Sequence, residues 1–331
     1  MIGEKAVIGN KIVIAHRGAS GYLPEHTLAA KAAAHAMGAD YLEQDVVLSK
    51  DGVPVVLHDI HIDTTTDVAT RFPGRARADG RFYAIDFTLA ELQTLAVTER
   101  FDATTGEPAY PGRFPKGASS FRIPTLAEEI ELIQGMNRST GRAVGIYPEI
   151  KGPAWHRAEG QDISRIVLEV LARYGYRDQA DPVFVQCFDW QETRRIREQL
   201  GYRGRLVQLI GENRWREAPG TDYDHLRTAQ GIAEIAAVAD GIGPWMAQIV
   251  TGRGADGRPE VTDLVARAHA AGLVVHPYTF RADALPDYAT SFEEVLELFL
   301  LEVGVDGVFT DFPDRAVEML GRAATGRRDR S

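Results

Sequence analysis

The chain has 331 residues, 44% of them hydrophobic and 25% charged, and a formal net charge of −10 at pH 7. This acidic balance argues against a nucleic-acid-binding protein, which normally carries a basic surplus, and no apolar run approaches the roughly 18 residues of a membrane-spanning helix. The single cysteine, Cys187, excludes an internal disulfide and a metal site built from cysteines.

Short apolar runs alternate along the chain with longer segments in which apolar residues recur at helical spacing. The predicted strands are 11–15, 40–47, 143–149, 182–188, 205–210, 240–244, 273–278 and 307–311. The predicted helices are 27–37, 125–136, 161–174, 190–200, 230–239, 262–271, 291–303 and 313–321. This alternation favours an α/β fold, a TIM (β/α)8 barrel, with a doubly wound sheet as the alternative.

One long segment interrupts the alternation of strands and helices. Residues 60–121 are rich in glycine, proline and charge, with one short helix predicted near 89–95. A loop of this length inside a compact domain is usually functional. We therefore predict a single domain, 1–331, in which 60–121 is an insertion after the second strand that caps the barrel mouth. The arginine-rich tail at 322–331 is predicted to be disordered.

A polar loop follows the first predicted strand and carries His16 and Arg17. In α/β proteins the carboxyl ends of parallel strands open onto a cleft, so these side chains are candidates for chemistry. Imidazole titrates near neutral pH, which makes His16 an acid–base candidate. The guanidinium of Arg17 can make paired contacts with phosphate oxygens.

Carboxylates mark the second and third predicted strands. Glu43 and Asp45 are two residues apart, so both side chains project from the same face of their strand. Two carboxylates this close repel each other unless a cation lies between them, and oxygen ligands suit Mg²⁺ and Ca²⁺ alike. The alternative is a pair of solvated acids on an edge strand. Glu149 would lie beside them in a barrel, followed by Lys151, although such a pair can also be a surface ion pair.

A second histidine is predicted to join these acids. The Asp51-Gly52 dipeptide is a strong turn signal, and the return strand at 53–57 would bring His58 next to the carboxylates. His58 is therefore the second acid–base candidate. The other histidines are treated as structural, with a partial exception for His276 at the end of the seventh predicted strand.

The order of these motifs resembles that of the glycerophosphodiester phosphodiesterases. The resemblance extends over roughly 11–320 and includes later segments at 186–189, 240–243 and 307–313. It is carried by His16-Arg17-Gly18, Pro24-Glu25-His26-Thr27, Glu43-Gln44-Asp45, His58-Asp59 and Glu149-Ile150-Lys151.

Two details are similar to the periplasmic bacterial members of that family. One is His26, at a position where the family commonly has asparagine, and the other is the long insertion after His58. The subgroup implies a periplasmic protein if a signal peptide has been removed. The chain as written begins without a signal-peptide pattern and, if complete, implies the cytoplasm.

The resemblance implies a TIM barrel that binds Ca²⁺, or alternatively Mg²⁺, through Glu43, Asp45 and Glu149. It implies hydrolysis of small glycerophosphodiesters, such as glycerophosphocholine and glycerophosphoethanolamine, to sn-glycerol 3-phosphate and an alcohol. A phospholipase D-like phosphodiesterase acting on intact lipid is the alternative. His16 and His58 would act as acid and base, while Arg17 and Lys151 would bind the phosphate. The remaining candidates for the substrate pocket are Gln186, Phe188, Trp245, His276 and Tyr278.

Overall fold

The computed structural model describes the backbone of residues 11–328 and the side chains of residues 11–321. Its strands are β1 (Ile12–Ala15), β2 (Tyr41–Leu48), β3 (Pro54–Val56), β4 (Gly145–Ile150), β5 (Phe184–Cys187), β6 (Arg205–Ile210), β7 (Gly241–Pro244), β8 (Val250–Arg253), β9 (Pro259–Val261), β10 (Val274–Val275) and β11 (Gly307–Thr310). Each of the eight predicted strands is present. The sequence analysis did not anticipate β8 and β9, which form a separate two-stranded hairpin.

Most of the helices begin after a residue whose side chain caps the first turn. They are α1 (Leu28–Met37), α2 (Val68–Arg71), α3 (Leu89–Leu92), α4 (Leu126–Thr140), α5 (Pro153–Ala158), α6 (Ile163–Arg173), α7 (Trp190–Glu198), α8 (Tyr223–Leu226), α9 (Ala229–Ala236), α10 (Leu264–Ala270), α11 (Phe292–Glu297) and α12 (Pro313–Arg328), with a π-helical turn at Leu298–Val303. The Thr27 side chain accepts a hydrogen bond from the amide of Ala30 at the start of α1. Thr125 and Glu128 form a capping box at the start of α4, which satisfies amides that have no partner within the helix.

The main sheet is parallel and closes almost completely into a barrel. Its neighbouring strands follow the order β10-β7-β6-β5-β4-β2-β1-β11. A single bridge between Trp245 and Tyr278 pairs the residues that follow β7 and β10. A second bridge, between Phe280 and Thr310, pairs the segment after β10 with β11. The prediction of a TIM barrel is confirmed, since a doubly wound sheet would leave two open edges.

The strand β2 lies in the interior of this sheet, between β1 and β4. The alternative of two solvated acids on an edge strand is therefore wrong, because Glu43 and Asp45 are 3% and 1% exposed. The register of β2 and β4 places Asp45 opposite Glu149, as a barrel requires. The predicted turn after β2 is also present, and β3 returns antiparallel to β2.

The segment between β3 and α4 contains α2, α3 and a hydrophobic cluster of its own. Phe82, Phe87 and Leu92 are buried in this cluster together with Val47 of β2 and Val55 of β3. The helix predicted near 89–95 is the four-residue α3. Two arginines of the segment reach acidic side chains near the barrel mouth, Arg100 to Glu25 in the loop after β1 and Arg113 to Asp311 directly after β11.

The last described element of the chain is the helix α12. The backbone of α12 is helical to Arg328. The predicted disordered tail at 322–331 falls outside the residues whose side chains are described, and it stays a prediction. Cys187 is buried in β5, as expected for a core residue. Within the described residues, every helix falls short of the length and apolar character needed to cross a bilayer.

Candidate active site

A cavity of about 240 Å³ lies at the carboxyl ends of the barrel strands, where the loops of this fold build their sites. It brings together most of the residues predicted from the sequence. These are His16, Arg17, Glu43, Asp45, His58, Glu149, Gln186, Phe188, Trp245 and Tyr278. The cavity is also lined by Leu209, Trp215, Thr279, Arg281 and Phe309.

Three buried carboxylates form one cluster in this cavity. Glu43, Asp45 and Glu149 each offer an oxygen, and these oxygens lie within 4.8 Å of one another. The Oδ1 atom of Asp45 is buried without a hydrogen-bond partner. Burial and the nearby charge of Asp45 raise the pKa of Glu43 to about 8. These carboxylates offer only oxygen ligands, one of which is buried without a partner, and burial destabilises the negative charge of Glu43. Such a cluster fits a hard divalent cation.

His16 is held by a carboxylate at the end of the barrel strand β11. Its Nδ1 atom lies 2.5 Å from Oδ1 of Asp311. Although burial opposes ionisation, His16, Arg281 and Arg113 hold the pKa of Asp311 well below its usual range. The ionised carboxylate can only accept, so the His16 ring donates from Nδ1. Its Nε2 atom, 3.8 Å from Oε2 of Glu43, is then free of a proton, and burial together with the charge of Arg17 lowers the pKa of His16 to about 4.

His58 has a similar anchor on the chain segment that follows β3. Its Nδ1 atom lies 2.6 Å from Oδ1 of Asp59. The second oxygen of Asp59 accepts a hydrogen bond of 2.6 Å from Arg100. The side chain of His58 is 30% exposed, whereas that of His16 is 9% exposed. Both candidate acid–base residues are therefore oriented through Nδ1, which leaves Nε2 as the nitrogen available for chemistry.

Arg17 connects the loop after β1, which also carries His16, to the carboxylate cluster. Its backbone amide donates to Oε2 of Glu43 at 2.8 Å, and its guanidinium donates to Glu25 at 2.9 Å. The Nε atom of Arg17 lies 3.5 Å from Asp45. The backbone of Arg17 has a φ of 57°, a left-handed conformation that is uncommon for a residue with a side chain. Such conformations persist where surrounding contacts enforce them, which is frequent at functional sites.

Two predicted site residues do not line the cavity. The Nζ atom of Lys151 lies 2.7 Å from Glu149 and 3.4 Å from Glu217, so its charge is directed to acids rather than to the open space. His276 is buried in the barrel interior, with Nδ1 3.0 Å from the hydroxyl of Tyr147. By contrast, the predicted pocket residue Gln186 contacts the cluster directly, because its amide donates to Glu43 at 3.2 Å.

Four rings form an aromatic wall on one side of the cavity. The aromatic wall consists of Phe188, Trp215, Trp245 and Tyr278. The ring centroids of Trp215 and Trp245 are 5.2 Å apart, and those of Phe188 and Tyr278 are 5.8 Å apart. Trp215 is 40% exposed, which places it at the rim. The cavity therefore has a charged side and an apolar side.

Several residues that support the site were not predicted from the sequence. Asp311 could have been found, because it lies at the end of the eighth predicted strand. His26 also carried a signal, since it belongs to a quoted motif, and its Nε2 atom lies 2.7 Å from Asp45. Arg100 and Trp215 lie in segments without periodicity and carried no signal.

Comparison with known proteins agrees with this geometry. The model of the glycerophosphoryl diester phosphodiesterase family matches residues 16–315. The chain is 47% identical over 329 residues to a glycerophosphodiester phosphodiesterase of Haemophilus influenzae, covering 94% of this chain and 90% of that protein. It is 40% identical to a glycerophosphodiester phosphodiesterase of Treponema pallidum, covering 95% and 93% of the two chains.

Solved structures show the same fold. A structure from Silicibacter pomeroyi matches with a TM-score of 0.72 at 26% identity, covering 96% of each chain. An Oleispira antarctica phosphodiesterase in complex with the product sn-glycerol 3-phosphate matches with a TM-score of 0.61 at 22% identity, covering 94% of this chain and 97% of that one. Together with the family match over most of the chain, these findings show that the protein is an enzyme that cleaves phosphodiesters and belongs to the glycerophosphoryl diester phosphodiesterase family.

Proposed function

We propose that this protein hydrolyses small glycerophosphodiesters, such as glycerophosphocholine and glycerophosphoethanolamine, to sn-glycerol 3-phosphate and an alcohol with the help of a divalent cation. The observation that carries this proposal is one cavity that holds three buried carboxylates and two histidines, each anchored to an aspartate. The product bound to the Oleispira antarctica relative supports sn-glycerol 3-phosphate as the product here.

The residues that would hold the cation are Glu43, Asp45 and Glu149. We favour Ca²⁺, with Mg²⁺ as the alternative, because both ions take carboxylate oxygens. When bound, such an ion supplies Lewis-acid chemistry, polarising the phosphoryl oxygen and lowering the pKa of the attacking hydroxyl. The unpartnered Oδ1 of Asp45 supports this assignment, since a buried carboxylate oxygen without a partner is costly.

The two histidines would move the protons of the reaction. One of them removes the proton from the attacking oxygen of water or of the glycerol 2-hydroxyl, as a new P–O bond forms. The other protonates the alcohol oxygen as its bond to phosphorus breaks. Attack by the 2-hydroxyl would give a cyclic glycerophosphate, which water would then open to glycerol 3-phosphate with a second pair of proton transfers. Asp311 and Asp59 would hold the two rings and stabilise the charge that each ring carries after taking a proton.

The phosphate contacts would come from the arginines of the cavity. Arg17 and Arg281 both line it and would neutralise the charge that develops on the phosphoryl oxygens. Lys151, for which the sequence suggested the same role, would instead balance the charge of Glu149, with which it pairs. The aromatic wall would receive the alcohol portion, since a quaternary ammonium group is attracted to the faces of aromatic rings.

The experiment that tests this proposal measures release of glycerol 3-phosphate from glycerophosphocholine. The enzyme is first treated with a chelator, and Ca²⁺ or Mg²⁺ is then added back. Release restored by either ion supports the proposal and identifies the metal. A parallel assay uses vesicles of phosphatidylcholine, and hydrolysis of that lipid without hydrolysis of glycerophosphocholine would contradict the proposed substrate.

A further inference from the structure

A buried polar chain lies directly behind the candidate cation site. It consists of Lys31 on α1, His26 in the preceding loop and Asp45 on β2. Lys31 and His26 are 0% and 2% exposed, and neither lines the cavity. The site described above does not use either residue for contact with substrate, so their burial next to a metal-binding carboxylate calls for a separate explanation.

The contacts of Lys31 fix the hydrogen-bonding role of His26. The Nζ atom of Lys31 contacts the carbonyl oxygen of Glu43, Oε2 of Glu129 at 3.1 Å and Nδ1 of His26 at 3.3 Å. An ammonium group has three N–H donors and no acceptor. Because the ammonium group of Lys31 cannot accept, Nδ1 of His26 accepts from it and carries no proton.

The other ring nitrogen of His26 then carries the proton. Nε2 lies 2.7 Å from Oδ2 of Asp45, so the ring donates to that oxygen. The remaining oxygen of the carboxylate, Oδ1, is buried without a partner. One oxygen of Asp45 is thereby held by the protein, and the other is left to bind a cation.

We propose that Lys31 and His26 are positioning residues, which lock the Nε2–H tautomer of His26 and so orient the Asp45 carboxylate towards the cation. The inference rests on the proposed function, because it takes the carboxylate cluster to be the metal site. Removing a side chain that hydrogen-bonds to a metal ligand commonly lowers the affinity for the metal by about 10- to 100-fold. A merely structural role would change the stability of the protein without changing its affinity for the ion.

The first test compares two substitutions of His26 in the full-length protein. After treatment with a chelator, the affinity of each variant for Ca²⁺ and for Mg²⁺ is measured by titration calorimetry. His26→Gln keeps an N–H donor that can reach Asp45, whereas His26→Leu removes it at similar volume. We expect affinity to fall about 10- to 100-fold in His26→Leu and to be largely retained in His26→Gln. Equal affinity in wild type and His26→Leu would overturn the inference. If the wild-type protein binds neither ion, the metal assignment of the proposed function fails as well.

The second test reads the tautomer of His26 without any metal. Protein labelled with ¹⁵N-histidine is examined by NMR, and the His26 signals are assigned by their absence in His26→Gln. We expect the proton on Nε2 in the wild type and loss of the single tautomer in the double variant Lys31→Met/Glu129→Gln. The double variant avoids leaving Glu129 as a buried unpaired charge. A wild-type proton on Nδ1 would overturn the inference even if the metal assignment holds.

Discussion

The two histidines of the cavity share one arrangement although they come from different parts of the chain. Each ring is tied through Nδ1 to an aspartate, and each aspartate is tied in turn to arginine, Asp311 to Arg113 and Asp59 to Arg100. This arrangement fixes the orientation of the rings before a substrate binds. General acid–base groups held in this way contribute typically about 10²- to 10⁴-fold to the rate.

Replacing either histidine is therefore expected to lower turnover without unfolding the protein. For His16→Ala and His58→Ala we expect kcat to fall by about 10²- to 10⁴-fold, because each variant would lose one of the two proposed proton transfers. The matched control is His225→Ala, since the ring of His225 on α8 pairs with Glu234 at 3.1 Å and is partly exposed. The measurement is glycerol 3-phosphate release, with circular dichroism to check the fold. A near-normal rate in either cavity variant would remove that histidine from the mechanism.

Glu43 leads to a prediction about protons at the candidate metal site. Because the pKa of Glu43 is raised to about 8, this carboxyl group is mostly protonated in the metal-free protein at pH 7. A cation needs the ionised form, so binding at pH 7 is expected to release about one proton from this group. Calorimetry in buffers of different ionisation enthalpy measures that proton directly.

Two results would check the origin of this proton. The affinity for the cation should rise as the pH increases through about 8, since the proton that competes with the ion is then lost. Proton release should also be smaller in Glu43→Gln, whose amide has no proton to give up. An unchanged release in that variant would show that another carboxyl group supplies the proton.

The residues of the site differ in how far sequence could identify them. Glu43, Asp45 and Glu149 were predictable because strand periodicity and barrel neighbours determine where they project. Lys151 was assigned to phosphate from its position two residues after Glu149, but the direction of a long side chain depends on partners such as Glu217, which lies 66 residues away in the chain. No local pattern carries that information.

At the scale of elements, the segment between β3 and α4 supports the site through two arginines, Arg113, which contacts Asp311, and Arg100. The guanidinium of Arg100 donates to both oxygens of Glu25, at 3.0 and 2.7 Å, and to Asp59 at 2.6 Å. Glu25 holds Arg17, and Asp59 holds His58. Arg100 therefore supports two candidate functional residues at once. We propose that this segment, 60–121, caps the barrel mouth and completes the site.

Substitution of Arg100 is expected to reduce turnover although the residue does not line the cavity. In Arg100→Lys the charge remains but the paired geometry is lost, and misplacing reacting groups by about 1 Å can cost about 10²-fold in rate. Arg75→Lys is the matched control, because Arg75 lies in the same segment but pairs with Glu91 on an exposed surface. Equal rates in the two variants would contradict the supporting role of Arg100.

The elements themselves were predicted unevenly. The strands and helices of the barrel have clear periodicity, and each predicted strand is present. The segment 60–121 could be recognised only as a long loop, because its core is built from contacts between residues distant in the chain, such as Val47 with the cluster around Phe87. The hairpin β8–β9 is short and has no buried face to produce an alternating pattern.

At the scale of the whole molecule, a buried histidine outside the cavity makes stability depend on pH. Nε2 of His156 accepts a hydrogen bond from the Leu48 amide, and Nδ1 donates to the carbonyl oxygen of Gly152. Burial lowers the pKa of His156 from 6.5 to about 4. The unfolded chain binds a proton at higher pH than the folded protein, so unfolding is favoured as the pH falls from about 6.5 to about 4.

The variant His156→Gln is expected to weaken this acid sensitivity. Between the pKa of the unfolded chain and that of the folded protein, the free energy of unfolding falls as the pH falls. A buried neutral histidine contributes up to about 1.4 kcal/mol per pH unit to this slope. Urea unfolding of both proteins at several pH values measures the slope, and above pH 7 this contribution vanishes. An unchanged slope in the variant would show that His156 is protonated to the same extent in the folded and unfolded chains.

The placement of β2 has a consequence for the accuracy of folding. Along this strand Glu43, Asp45 and Val47 share one face, while Val46 and Leu48 on the other face belong to the main barrel core. A slip of the pairing by one residue would exchange these faces. It would turn both carboxylates towards apolar side chains and remove valines from two separate cores at once. The register that creates the candidate metal site is thus protected against error by the packing of both hydrophobic clusters.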